Sequence, residues 1–203
     1  YSALFIRSER LERDPEEGGT FWLSATPGEA GSKTWGNQVT RICTWARLVD
    51  RKNGKGFYFY NTHWDHQSQP SREQAGRLMA MRIDARKRMG EPVVVTGEFN
   101  ATETNPGVSY LLGNKVALAG GKGPEQWSNP LKAPFFELHP GVKDRNTFNR
   151  WKGVIPGSRM IDHVLVSPGW KIQKAWIEYH MRGKMVPSDH WPVAAVIRWA
   201  DQP

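Results

Sequence analysis

A single cysteine, Cys43, among 203 residues leaves no internal disulfide and no thiolate zinc cluster. It lies in a strand-like run and reads as a small core residue. No apolar run approaches the ~20 residues of a membrane-spanning helix, and mean hydropathy is −0.62. Repeats, heptads and low-complexity tracts are missing, which excludes solenoids and coiled coils. Tyr1 follows neither Met nor an apolar leader, so a processed product or a fragment is expected and no compartment is assigned. Acidic residues are the scarcer charge: 20 Asp plus Glu against 28 Lys plus Arg, a net +8. That balance suits an anionic partner such as a phosphate ester, nucleic acid or lipid head group; it equally suits a basic surface that keeps a domain soluble.

The length and the 38% hydrophobic content suit one domain, residues 1–203, with a real core. Tyr1 to Arg7 reads as a strand, Arg10 to Gly19 as a charged loop and Thr20 to Leu23 as a short strand. Ser24 to Gln38 is a Gly- and Pro-containing loop. Arg41 to Val49 alternates, with Ile42, Thr44, Ala46 and Leu48 on one face and Cys43, Trp45, Arg47 and Val49 on the other. Asn53-Gly54 predicts a hairpin back into Phe57 to Thr62. Ser71-Arg72-Glu73-Gln74 fits a capping box opening a helix to about Met89, with Gly90 placed to end it.

Val93-Val94-Val95 reads as a buried strand after that helix, giving a strand–helix–strand unit and an α/β core. A second short helix follows Asn105-Pro106. Ala117 to Val142 is an ordered excursion anchored by Trp127, Phe135 and Phe136. Strands close the chain at Val164 to Val166, Ala175 to Tyr179 and Val193 to Trp199. The sum is two packed, mainly β layers with helices outside.

Four strand ends carry the chemistry. His63-Trp64-Asp65-His66 follows Tyr58 to Thr62, and Gly97-Glu98-Phe99-Asn100 follows the valines. Asp162-His163 opens Val164 to Val166, and Ser188-Asp189-His190-Trp191-Pro192 opens the last strand. Such a set suggests one shared pocket. Any one block alone also fits a polar turn or a buried, hydrogen-bonded histidine.

Together the blocks NTHWDH, VVVTGEFNA, RMIDHVLVS and SDHWPV resemble the endonuclease/exonuclease/phosphatase superfamily, from Tyr1 to about Trp199. GTFWLS at 19–24 and NTFN at 146–149 are similar to a bacterial branch of it. The resemblance implies a four-layer α/β sandwich and a hydrolase of phosphate esters, most simply a phosphodiesterase or nuclease-like enzyme using Mg²⁺ or Mn²⁺. It implies catalytic roles for His63, Glu98, Asn100, Asp162 and His190, with His190 oriented by Asp162. Glu98, Asn100 and Asp189 would hold the metal. Asn100 and His63 would meet the substrate; Trp64 and Trp191, which flank the motifs, are candidates for the substrate wall, with a place in the core or at its rim as the default for so large a ring. Asp65, His66 and His163 are read as supporting residues, with a second metal site as the alternative for Asp65 and His66, and His139 and His180 as surface residues.

Two departures stand out. The family's usual Gly-Asp-Phe-Asn reads Gly97-Glu98-Phe99-Asn100 here. The amino-terminal strands with an Asn and a metal-binding Glu are not found, as if Tyr1 entered the pattern roughly 70–80 residues late. A first strand that has lost its neighbours would favour a monomer or a weak self-association through an exposed edge. The competing expectation is a truncated or degenerate member that binds anions or nucleic acid without turnover. Phospholipid and sugar phosphate are the alternative substrate classes.

Overall fold

A computed structural model describes residues 2–200. Twelve elements follow in order: β1 Leu11–Trp22, β2 Ile42–Asp50, β3 Gly56–His63, α1 Gln69–Asp84, β4 Val93–Glu98, α2 Pro106–Leu111, β5 Val116–Ala117, β6 Pro124–Glu125, α3 Pro134–Leu138, β7 Asp162–Val166, β8 Trp170–Ile177 and β9 Val193–Trp199. The main sheet has the order β1-β2-β3-β4-β7, and only its β3–β4 pair is parallel. β8 and β9 form a second, two-stranded sheet, and β5 pairs with β6. Among the described residues no helix is long and apolar enough to cross a membrane.

The two faces of the main sheet bury different partners, as strand alternation requires. Tyr58, Tyr60, Val93, Val95 and Cys43 face α1 and α2, which contribute Ala75, Leu78, Met79, Ile83, Val108 and Leu111. Phe57, Ala46, Leu48, Val94 and Val166 face the second sheet, meeting Trp170, Ile172, Ile197 and Trp199. The α/β class and the packed, largely antiparallel sheets expected from the sequence are present. Each fully buried aliphatic chain contributes about 1.5–3 kcal/mol.

Three local expectations fail for physical reasons. Residues 2–7 form no strand, whereas the stretch read as a charged loop is most of β1. As the sheet's edge, β1 needs few apolar residues, and it carries a register shift between Arg13 and Gly18. Its buried Glu17 accepts hydrogen bonds from the Tyr58 hydroxyl and from Arg88 Nε. The cap of α1 is Ser68 rather than Ser71: the Ser71 N–H donates to Ser68 Oγ at 3.2 Å, and Pro70 sits in the first turn. α1 stops at Asp84, because Arg86 takes the carbonyls of Ile83, Met89 and Glu91 and turns the chain before Gly90.

Gly97 interrupts β4 with φ 146°, between Thr62 and His163. A Cβ there would meet the Thr62 carbonyl oxygen. Gly97→Ala is therefore expected to destabilise the fold by more than about 3 kcal/mol, since strain and a backbone clash act together. Urea denaturation beside the wild type measures it; a loss below 1 kcal/mol, roughly that of an ordinary surface change, would contradict the reading.

Candidate active site

Sheet register builds the first row of the site. His63 ends β3, opposite Glu98 at the end of β4, and Glu98 pairs in turn with Asp162 at the start of β7. All three share strand parity with the face turned to the second sheet. Neighbours across strands lie close enough for side-chain contact. His63 Nε2 stands 3.3 Å from Glu98 Oε2. The loop before β9 brings His190 from the other sheet: its Nδ1 lies 2.8 Å from Asp162 Oδ2 and its Nε2 3.7 Å from Glu98 Oε1. An isolated bridge to Phe148 holds the His190 backbone, and their rings pack at 4.9 Å.

Asn100 adopts φ 50°, a left-handed conformation that asparagine tolerates. Its Nδ2 donates to the Trp64 carbonyl at 3.0 Å, and among the described residues Oδ1 accepts no hydrogen bond. Glu98, Asn100, His63, Asp189 and His190 line a cavity of about 560 Å³. Three arginines, Arg41, Arg72 and Arg159, complete its wall together with His66 and Phe148. Cations thus outnumber carboxylates in the hollow, which suits an anionic ligand.

Protonation follows from these contacts. Burial by itself would push the His190 imidazole down, but the hydrogen bond and charge of Asp162, with Glu98 and Asp189 farther off, outweigh it and raise the pKa. Burial would raise Glu98, but His63, His190 and Arg41 together hold its carboxyl below the usual range. At neutral pH the pair is therefore a carboxylate beside a histidine that stays charged to a higher pH than usual. His163 goes the other way, because complete burial pushes it down.

NMR titration is accordingly expected to show His190 changing above its ordinary pKa of roughly 6.5 and His163 below it. Asp162→Asn, which removes the main raising influence, should bring His190 down. An unmoved His190 in that variant would contradict the assignment.

The donor set fits a hard divalent cation. Glu98, Asp189 and Asn100 offer oxygen atoms to one hollow, and oxygen ligands are what Mg²⁺ and Mn²⁺ prefer. Among the described residues, the group of ligand atoms lying within 4.8 Å of one another is Glu98, Asp162 and His190, so Asp162 joins the acids expected from sequence and Asp189 stands outside that closest group. Asp162 already binds His190, which leaves Glu98 as the central carboxylate.

The supporting residues are placed as follows. Asp65 is buried, and its Oδ1 accepts the Gln67 and Ser68 N–H groups at 2.9 and 2.6 Å, fixing the turn into α1. His66 is exposed and meets Arg41 Nη2 through Nδ1. His163 places its Nε2 2.8 Å from the Ala101 carbonyl oxygen, so it steadies the backbone beside Asn100.

Trp64 and Trp191, expected on the substrate wall, are 0% and 1% exposed. Trp64 packs on Phe99, and Trp191 packs among Phe135, Met160 and Ile177. Both fill the gap between the layers, the default reading for rings of that size, and Trp191 also edges a second cavity that Glu98, Asp162 and His190 line.

Sequence reading did not single out Arg41, Phe148 or Arg159. Arg159 directly precedes the Met160-Ile161-Asp162 block and Phe148 lies in NTFN, so proximity to a motif was the available signal. Arg41 carried none: it reaches the hollow because β2 pairs with β3 in the register Cys43↔Thr62.

Comparison with solved structures places this geometry among known folds. The endonuclease/exonuclease/phosphatase from Bacteroides vulgatus is 26% identical, with a TM-score of 0.78, covering 96% of this chain and 69% of that one. The mannosyl-6-phosphatase of Bacteroides thetaiotaomicron is 24% identical with a TM-score of 0.75, over 96% of this chain and 69% of that chain. D. rerio TDP2, solved with a single-strand DNA product, is 14% identical with a TM-score of 0.65, over 95% and 70%. No curated protein gives a match. Residues 7–190, which include every strand end that meets in the hollow, match the Endonuclease/Exonuclease/phosphatase family, and the chain belongs to that family.

Proposed function

We propose that the chain hydrolyses phosphate esters with a divalent metal, acting most simply as a phosphodiesterase of nuclease-like type. The observation that carries this reading is the continuous line Asp162–His190–Glu98–His63, with contacts of 2.8, 3.7 and 3.3 Å, along a cation-rich hollow. Family membership supports hydrolysis of phosphate esters in general.

The residues divide the work by charge. Glu98, held as a carboxylate, orients an attacking water and accepts its proton. His190, which Asp162 holds charged to a higher pH than usual, stabilises in its protonated form the charge that develops on the phosphoryl oxygens and can donate a proton to the leaving oxygen. Such a split of two neighbouring groups assigns base and acid. His63 and the Asn100 carboxamide bind the phosphoryl group from the opposite side, and Arg41 adds charge. Glu98, Asn100 and Asp189 would hold Mg²⁺ or Mn²⁺, which supplies Lewis-acid neutralisation of non-bridging oxygens.

Hydrolysis of bis(4-nitrophenyl) phosphate is expected to require Mg²⁺ or Mn²⁺, to stop with chelator and to return with added metal. Single-stranded DNA, a lipid phosphodiester and a phosphomonoester assayed side by side separate the substrate classes. Salt-sensitive binding of nucleic acid without metal-dependent turnover of any of these would replace the hydrolytic reading by anion binding alone.

A further inference from the structure

Two guanidinium groups beside the site share one aromatic ring. The Arg159 guanidinium lies 5.1 Å from the centre of the Phe148 ring, and that of Arg150 lies 5.5 Å from the same centre. Phe148 in turn packs on the His190 ring. Among the described residues neither guanidinium meets a carboxylate, whereas Arg88 and Arg145 each hold one and Arg47 holds two. A cation–π contact only partly compensates each charge. A phosphate oxygen set would satisfy both, because guanidinium groups match phosphate geometry.

The loop is built to hold Arg150 there. Arg150 and Trp151 have φ 55° and 63°, a left-handed conformation unfavourable to both. Asn149, fully buried, fixes it: Nδ2 donates to the Ser188 carbonyl at 3.0 Å and Oδ1 accepts the Trp151 N–H at 2.8 Å. The Asn149 and Arg150 N–H groups both donate to the Asp189 carbonyl, at 2.7 and 3.2 Å. Arg150 is thus tied to the very segment that carries His190. Arg159 and Phe148 line the cavity of about 560 Å³, which is of small-molecule size rather than the size of one phosphate, and Arg150 lies exposed at its edge, against Phe148.

We propose that Arg150 and Arg159, both packed on Phe148, form a second anion subsite that takes a further phosphate of the same substrate. Substrates with two phosphate groups are therefore preferred over those with one. This rests on the hydrolytic reading above and names the substrate chemistry of that site. The second phosphate can belong to a bisphosphorylated small molecule or to the next nucleotide of a strand.

Two matched pairs distinguish these sources: fructose 1,6-bisphosphate against fructose 6-phosphate, and 5′-phosphorylated dithymidylate against the unphosphorylated dinucleotide. In one pair the wild-type kcat/KM should be about tenfold or more higher with the second phosphate, the scale of one charged hydrogen bond. The double variant R150Q/R159Q should bring that ratio to within about twofold. A wild-type ratio near one in both pairs, or a ratio that the double variant leaves unmoved, overturns the subsite. If no substrate at all is turned over, the hydrolytic reading fails and binding decides for the subsite alone. Calorimetry should then show pyrophosphate binding tighter than orthophosphate, with the difference lost in R150Q/R159Q. Equal affinities, or a difference that survives, overturn it.

Discussion

His190→Ala is expected to lower kcat/KM on bis(4-nitrophenyl) phosphate about 10²–10⁴-fold, the usual span for removing a positioned proton donor or acceptor. The magnitude follows from how much converges on the ring. Nδ1 is fixed by Asp162 at 2.8 Å, Nε2 is turned to Glu98 at 3.7 Å, and Phe148 packs on the ring's side. Alanine removes the cation, the proton and the group that sets the Phe148 wall. The fold should survive, since His190 is only half-buried and its backbone bridge to Phe148 remains. A thermal melt near that of the wild type separates lost chemistry from lost structure. The wild-type pH profile gives a second reading. As pH rises through the raised His190 pKa, the ring loses its charge and kcat/KM should fall on the alkaline side. An undiminished rate in His190→Ala would remove His190 from the chemistry.

Much of this arrangement was legible in the residues. The Val93–Val95 run, the Asn53-Gly54 turn and the alternation of Arg41 to Val49 all encode local structure, and each became the element expected. His63, Glu98 and Asp162 were legible as strand ends because a short polar block follows or opens each apolar run. What joins them, the register His63↔Glu98↔Asp162, is a property of pairing between strands far apart in sequence. No local pattern contains it. β1 was misread for a related reason: an edge strand buries little on either side, so its charges look like a loop's until Arg88 and Tyr58 are found around Glu17. The two buried tryptophans show the converse. Trp64 and Trp191 border motifs in sequence, yet burial of a large ring prevails over motif proximity. Arg41 stayed unmarked because only the β2–β3 pairing carries it to the hollow.

Glu98→Asp, which installs the acid most members of the family carry, is expected to impair this chain rather than improve it. Glu98 spans two partners at once: Oε2 lies 3.3 Å from His63 and Oε1 lies 3.7 Å from His190. Its Cα is fixed by pairing on both sides, with β3 and β7. Removing one methylene withdraws the carboxylate by about 1.5 Å, and a misplacement near 1 Å costs about 100-fold in rate. The loss should appear mainly in kcat, since on the proposed reading His63, Asn100 and Arg41 would still bind the phosphoryl group. Glu98→Gln keeps the length and removes the charge, so its rate should fall at least as far, and His190 should titrate lower without the neighbouring carboxylate. The two variants together separate reach from charge. Wild-type turnover in Glu98→Asp would mean that the backbone, and not the side chain, sets the distance, and the reading of a site adapted to a longer acid would fall.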